Sequence, residues 1–195
     1  MIIANVVGVL LLFYFLWKRL KEDYHFEKIF TLGVHVLVGI IIGISVSRSY
    51  LAEAWFWITI AFGLVGFYIG LKRLKMSFFE SLEALIIGLL AWLGLYLFSY
   101  SVENYNAFSF VVFWITLCLF FLFHFLEGHY RRFGWYKSGK VGFSGLVIGL
   151  SFFLIRTVIA LFNISVISFL PRGESLVSGI TTLTLLALLY KLSKQ

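Results

Sequence analysis

Cysteine and proline are all but missing from this chain: Cys118 and Pro171 are the only ones among its 195 residues. A lone cysteine makes no intrachain disulfide, and with no partner thiolate or histidine at ligand spacing it predicts no metal site. A lone proline, placed in a connection, leaves the apolar segments without the breaks around which paired-repeat transporters build their sites. Charge is scarce too, at 13% of residues against about a quarter in soluble domains. With 62% hydrophobic residues and a mean hydropathy of +1.00, a water-soluble globular domain is excluded.

What is present is apolar length. Seven blocks stand out, roughly Ile2–Trp17, Ile29–Val46, Leu51–Leu71, Phe78–Tyr100, Phe108–Leu126, Gly142–Asn163 and Leu176–Tyr190. A hydrocarbon core of about 30 Å is crossed by helix at about 1.5 Å per residue, and these blocks are of that order. They are continuously apolar rather than alternating, which predicts helices and not a barrel. The expected fold is all-α: one domain over 1–195, polytopic, with seven transmembrane helices.

Basic residues set the expected orientation. Thirteen of the 16 Lys and Arg follow blocks one, three, five and seven, among them Lys18, Arg19, Lys72, Arg73, Arg131, Arg132 and Lys191. Arg48 and Arg172 fall on the other side, and Arg156 lies within a block. The positive-inside rule then predicts an outside amino terminus and a cytoplasmic carboxyl terminus, in a multi-pass protein of the plasma membrane. Because charge follows the first block instead of preceding it, that block reads as a retained anchor, not a cleavable signal. The pI of about 9.6 reflects loops facing anionic headgroups, and no nucleic-acid partner is expected.

Glycines at Gly39/Gly43, Gly66/Gly70 and Gly145/Gly149 are spaced by four. Each pair shares a helix face and predicts a close approach between backbones. Trp17, Trp55, Trp57 and Trp135 lie near block ends, where interfacial aromatic belts form.

The polar residues inside the blocks carry the functional information, since a charge at bilayer depth costs about 2.5–3.5 kcal/mol on insertion scales. Arg156, in "FFLIRTVIALF", lies 14 residues beyond Gly142, or about 21 Å of helix rise, in the outer half of the bilayer. Two readings are open: the side chain snorkels outward, or it forms an anion site where a guanidinium grips a lipid phosphate through two parallel hydrogen bonds. Arg48 either joins that site or marks the interface. Glu83, a turn deeper than Glu80 at the start of block four, is expected to support the site or pair within the bundle. His35 and His124 have no second ligand and no nucleophile to activate, so interhelical hydrogen bonds are expected of them. No cofactor is implied.

Three stretches carry a family likeness: "KRLKMSFFESLEAL" leading into block four, "GFSGLVIGLSFFLIR" ending at Arg156, and "RGESLVSGITTLTLLALLYKL" at the close. With seven spans and an outside amino terminus, the chain resembles the prolipoprotein diacylglyceryl transferase family. The resemblance implies a protein handling phosphatidylglycerol, from which such enzymes move a diacylglyceryl group to a cysteine of a lipoprotein precursor. It places Arg156 at an essential family arginine, Glu83 at a family acid, and Arg48 near another arginine. The family's His-Gly-Gly falls on Trp57, Ile58 and Thr59, its signature arginine on Leu97, and its final glutamate on Ala160. A general base or an electrostatic clamp is commonly worth two or more orders of magnitude in rate, so little transfer is expected from this chain. Two other classes are weighed beside it: a small transporter, and a non-catalytic scaffold or assembly partner held by its glycine faces.

Overall fold

The computed structural model describes residues 2–129, 136, 141–162 and 173–194. The placements expected for Arg131, Arg132, Trp135, Lys137, Lys140, Pro171 and Arg172 lie outside the described residues. Those described form seven helices: α1 (Ile2–Leu20), α2 (Phe26–Tyr50), α3 (Trp55–Leu74), α4 (Phe78–Glu103), α5 (Ala107–His129), α6 (Phe143–Leu161) and α7 (Glu174–Lys194). One 3-10 turn, Ala52–Ala54, joins α2 to α3. All seven are long and apolar enough to cross a membrane, so the protein is an integral, multi-pass membrane protein.

Most helices run a few residues past the apolar blocks. Backbone N–H and C=O groups leaving hydrocarbon still need partners, so the helix continues through flanking residues such as Lys18–Leu20 before it ends. Block three behaves differently: Leu51 closes α2, and the helix proper starts at Trp55.

The surface is apolar on the lipid side. Along α5, Phe110, Trp114, Phe121 and Phe125 are exposed, as are Ile2, Val6 and Leu10 of α1. Such a surface is unstable in water and ordinary in a bilayer.

Three antiparallel pairs organise the bundle: α2 with α3, α1 with α4, and α6 with α7. Helix α4 is central, packing against α1, α5 and α6, and is the most buried of the seven. One end of the bundle collects Lys18, Arg19, Lys72, Arg73, Lys191 and Lys194 in last turns; it is called the basic end here, and the opposite one the far end.

The glycines explain how closely the pairs approach. A Cβ on Gly66 would stand 2.2 Å from the His35 carbonyl oxygen, and one on Gly39 would stand 2.3 Å from that of Phe62. Gly43 meets the Thr59 backbone in the same seam. In the α1–α4 pair, Gly8 makes room for the Trp92 indole and Gly88 lies against the Leu12 backbone. Gly145 of α6 abuts the Glu83 backbone of α4. All three glycine pairs expected from spacing have members at such contacts.

Gly66→Val should therefore split α2 from α3. Overpacking of this kind costs about 1–3 kcal/mol, and backbone in the way places this case at the upper end. Thermal unfolding in detergent should show a clear loss for Gly66→Val. Gly128→Ala, whose Cβ would meet nothing within 4 Å, should unfold at or above the wild-type temperature.

Candidate functional site

At the far end, Arg156 is buried with Glu174, each side chain only 4% exposed. The pairing follows from topology. Arg156 lies near the end of α6, Glu174 is the first residue of antiparallel α7, and the hairpin brings them level. Arg156 Nε donates to Glu174 Oε1, which also accepts Ser178 Oγ at 2.8 Å. The second oxygen accepts the Trp57 indole N–H of α3, also at 2.8 Å. Aromatic faces complete the setting: the Arg156 guanidinium carbon lies 3.8 Å from the Phe56 ring centre and 5.5 Å from that of Trp57. Trp57 in turn stacks on Phe153 of α6, with centroids 5.7 Å apart. Neither snorkelling nor an open anion site describes this geometry. The charge is held inside the bundle by a carboxylate, two further donors to that carboxylate, and two rings.

Arg48 stands apart from that network. It lines a partly open cleft of about 440 Å³ between the α2–α3 pair on one side and the α1–α4 pair on the other. The two pairs meet toward the basic end, where the Phe13 and Phe30 rings stack at 5.4 Å and Phe13 packs on Gly33. Nearer the far end the walls touch again through the Trp55 and Tyr96 rings, 5.6 Å apart, and the cleft lies between these contacts. Its lining runs from Arg48 to Ile40 on α2 and from Trp55 to Gly63 on α3. Eight residues of helix on each side make it about 12 Å deep, close to half of an approximately 30 Å hydrocarbon core.

Polar groups and aromatic rings make up part of the lining. Asn5, Ser47 and Arg48 line the cleft beside the rings of Trp55, Trp92 and Tyr96, and Asn5 Oδ1 accepts the Trp92 indole N–H at 3.1 Å. The rest of the lining is mostly apolar and includes Ile40, Ile44, Ile60, Leu89 and Leu93. No aspartate or glutamate lines the cleft, and Arg48 makes no ion pair among the described residues. Phe56 is shared, facing the cleft and carrying the Arg156 guanidinium. The structure thus brings Arg48 and Arg156 to one end of the bundle and puts a phenylalanine between them.

Glu83 is elsewhere. At the basic end it is fully buried, bonded through Oε1 to Arg19 of α1, whose other terminal nitrogen takes Glu127 of α5. This three-membered cluster ties α1, α4 and α5 together and has no contact with the cleft. His35 lies half-buried in the α2–α3 seam, with Nδ1 2.7 Å from the Thr31 carbonyl of its own helix. It does not bridge helices as expected, because the seam is too narrow for anything but its Cβ and ring edge beside Gly70. His124 is exposed on α5. No group of three or more His, Cys, Asp or Glu among the described residues could hold a metal ion.

Sequence reasoning missed Glu174 and Arg19. Glu174 had a visible signal: it is the only acid after Glu127 and opens the span that follows Arg156. Arg19 was hidden among loop cations, and only the positions of Glu83 and Glu127 at the same end of their spans pointed to it.

Breaking a buried pair by removing one partner costs about 3–5 kcal/mol, whereas replacing both with apolar groups is often near neutral. Glu174→Ala should lower the unfolding temperature in detergent sharply, and Arg156→Leu with Glu174→Leu should recover most of that loss. Additive losses in the double variant would show that the two side chains are not energetically coupled.

Compared with known proteins, the chain matches no family model, no curated protein and no solved structure. Its own residues establish an integral membrane protein of seven spans, with a buried ion pair at the far end, a part-buried one at the basic end and a cleft lined by Arg48.

Proposed function

We propose that this protein handles phospholipid in the plasma membrane, taking an anionic headgroup at Arg48 and lodging chain in the cleft below it. One observation carries the reading: an arginine with no ion pair among the described residues lines a largely apolar cleft about as deep as one leaflet. A lipid phosphate supplies a counter-charge and fits a guanidinium in two-point geometry. The tryptophan and tyrosine rings in the lining suit the headgroup level. With the basic end in the cytoplasm, the cleft opens to the outer leaflet.

The likeness to prolipoprotein diacylglyceryl transferases supports the same ligand class, with phosphatidylglycerol as the lipid. The chain is then a diverged relative that binds lipid without transferring it. The residue in the place of the family's histidine is Trp57, and its N–H is engaged by Glu174. Arg156, the match to the family's essential arginine, has its charge balanced by Glu174 behind Phe56, so the phosphate falls to Arg48. Lipoprotein precursors are partners only if transfer survives.

A hydrogen bond to a charged group contributes about 1.5–3 kcal/mol, which is roughly ten- to a hundredfold in affinity. Wild-type protein extracted in mild detergent should retain phosphatidylglycerol in native mass spectra and prefer it to phosphatidylethanolamine. Arg48→Ala should lose at least tenfold of that retention. Equal retention by Arg48→Ala, or no preference for the anionic head, would refute the reading. Transfer to a lipobox peptide above background, abolished by Arg156→Ala, would restore the transferase.

A further inference from the structure

The cleft's walls decide how much of a lipid it can hold. Each wall is a closely packed helix pair: α2 meets α3 at backbone level through Gly39, Gly43 and Gly66, and α1 meets α4 with Gly88 on the Leu12 backbone and Gly8 under the Trp92 indole. Where a carbonyl stands about as near as a Cβ could, the pair has no slack, and a wall built so does not spread to fit a larger guest. The walls also meet at Phe13 and Gly33 and again at Trp55 and Tyr96, so the cleft is braced at two levels. At about 440 Å³ the space lies toward the lower end of the roughly 300–1,000 Å³ usual for ligand pockets. Gly63 and Ile40 lie at its end farthest from Arg48 along α3 and α2, and Leu89 faces it from α4.

From this rigidity, and resting on the lipid reading above, we infer that the cleft is a single-chain site. It grips the anionic head and one acyl chain, and a second chain, where there is one, stays in the surrounding bilayer. Monoacyl anionic phospholipids are therefore ligands equal to diacyl ones. Affinity does not come from taking chain out of water, since lipid tails are as apolar as Leu or Ile walls; it comes from the head and from fit. Removing the second chain then removes no contact with the protein, and filling the apolar part of the cleft removes the fit for both lipids.

The test titrates purified protein in mild detergent with monoacyl and diacyl phosphatidylglycerol of the same chain, read by native mass spectrometry. The expected Kd values agree within about threefold. Leu89→Trp, which fills the cleft from α4, should weaken both lipids at least tenfold, and so should Gly63→Leu, whose Cβ meets only the Ile40 side chain, at 3.2 Å. Thermal unfolding identifies which variants are folded, and the monoacyl-to-diacyl comparison on wild type needs neither. A monoacyl lipid bound tenfold more weakly than the diacyl lipid overturns the single-chain site. Wild-type affinity in a folded filled-cleft variant also overturns it, by showing that no chain enters. Lipid binding that ignores Arg48→Ala yet meets both expectations moves the headgroup and leaves the single-chain site standing.

Discussion

A helix that leaves lipid to pack on another helix gains almost no hydrophobic free energy, because one oily surface replaces another. Everything else in this bundle depends on how that deficit is made up. In the α2–α3 seam it is met by removing side chains: Gly39, Gly43, Gly63, Gly66 and Gly70 of the two helices are buried there. Backbone then meets backbone, with Gly39 beside the Phe62 carbonyl and Gly66 beside that of His35. Dispersion between many atoms at short range does the work, and the pair behaves as one stiff body. The α1–α4 pair uses the same device more sparingly, with Gly88 against Leu12 and Gly8 under Trp92. Two stiff bodies that touch at Phe13–Gly33 and again at Trp55–Tyr96 leave a gap between those contacts, and the cleft lies there.

Charge completes what glycine begins. Arg19 joins α1 to α4 and α5 at the basic end, and Glu174 joins α7 to α6 and α3 at the far end. In a low-dielectric interior each of these groups alone would cost several kcal/mol, so each is held only with its partner in place. Such pairs add little net stability over an apolar replacement. They specify instead which helix ends meet, which matters most for α7. That helix packs mainly on α6, and its link to α3 is the Glu174–Trp57 hydrogen bond.

The spans were legible in the sequence because lipid imposes a coarse requirement, about twenty apolar residues, that composition alone can display. Gly39/Gly43 and Gly66/Gly70 were legible for the same reason: a spacing of four fixes a shared face before any partner is known. The burial of Arg156 was half legible. Its depth followed from counting residues, but its counter-ion did not, since Glu174 belongs to a connection in one dimension and to the bundle in three. Glu83 was seen as a buried acid while its partner Arg19 passed as a loop cation. His35 was misjudged because a ring nitrogen in a tight seam reaches its own helix, the Thr31 carbonyl, more easily than a neighbour. The cleft left no trace in the sequence at all. It is made by how two helix pairs meet, and no local pattern records that meeting.

The two far-end arginines show why depth in the membrane is a poor guide to function by itself. Arg156 is the deeper and the more conspicuous in the sequence, yet its charge is balanced within a few ångströms by Glu174, whose carboxylate is held in place by donors from Ser178 and Trp57. Arg48, exposed two residues from the end of α2, looks like an ordinary interfacial cation, yet among the described residues it makes no ion pair, and it lines a cavity. A compensated charge fixes structure, because any ligand must first displace its partner. A charge with no such partner, lining a largely apolar cleft, leaves free energy to be gained by whatever anion brings a tail of the right width. Phe56 separates the two roles: one face of α3 carries the guanidinium that holds the bundle, and the other faces the cleft that Arg48 lines.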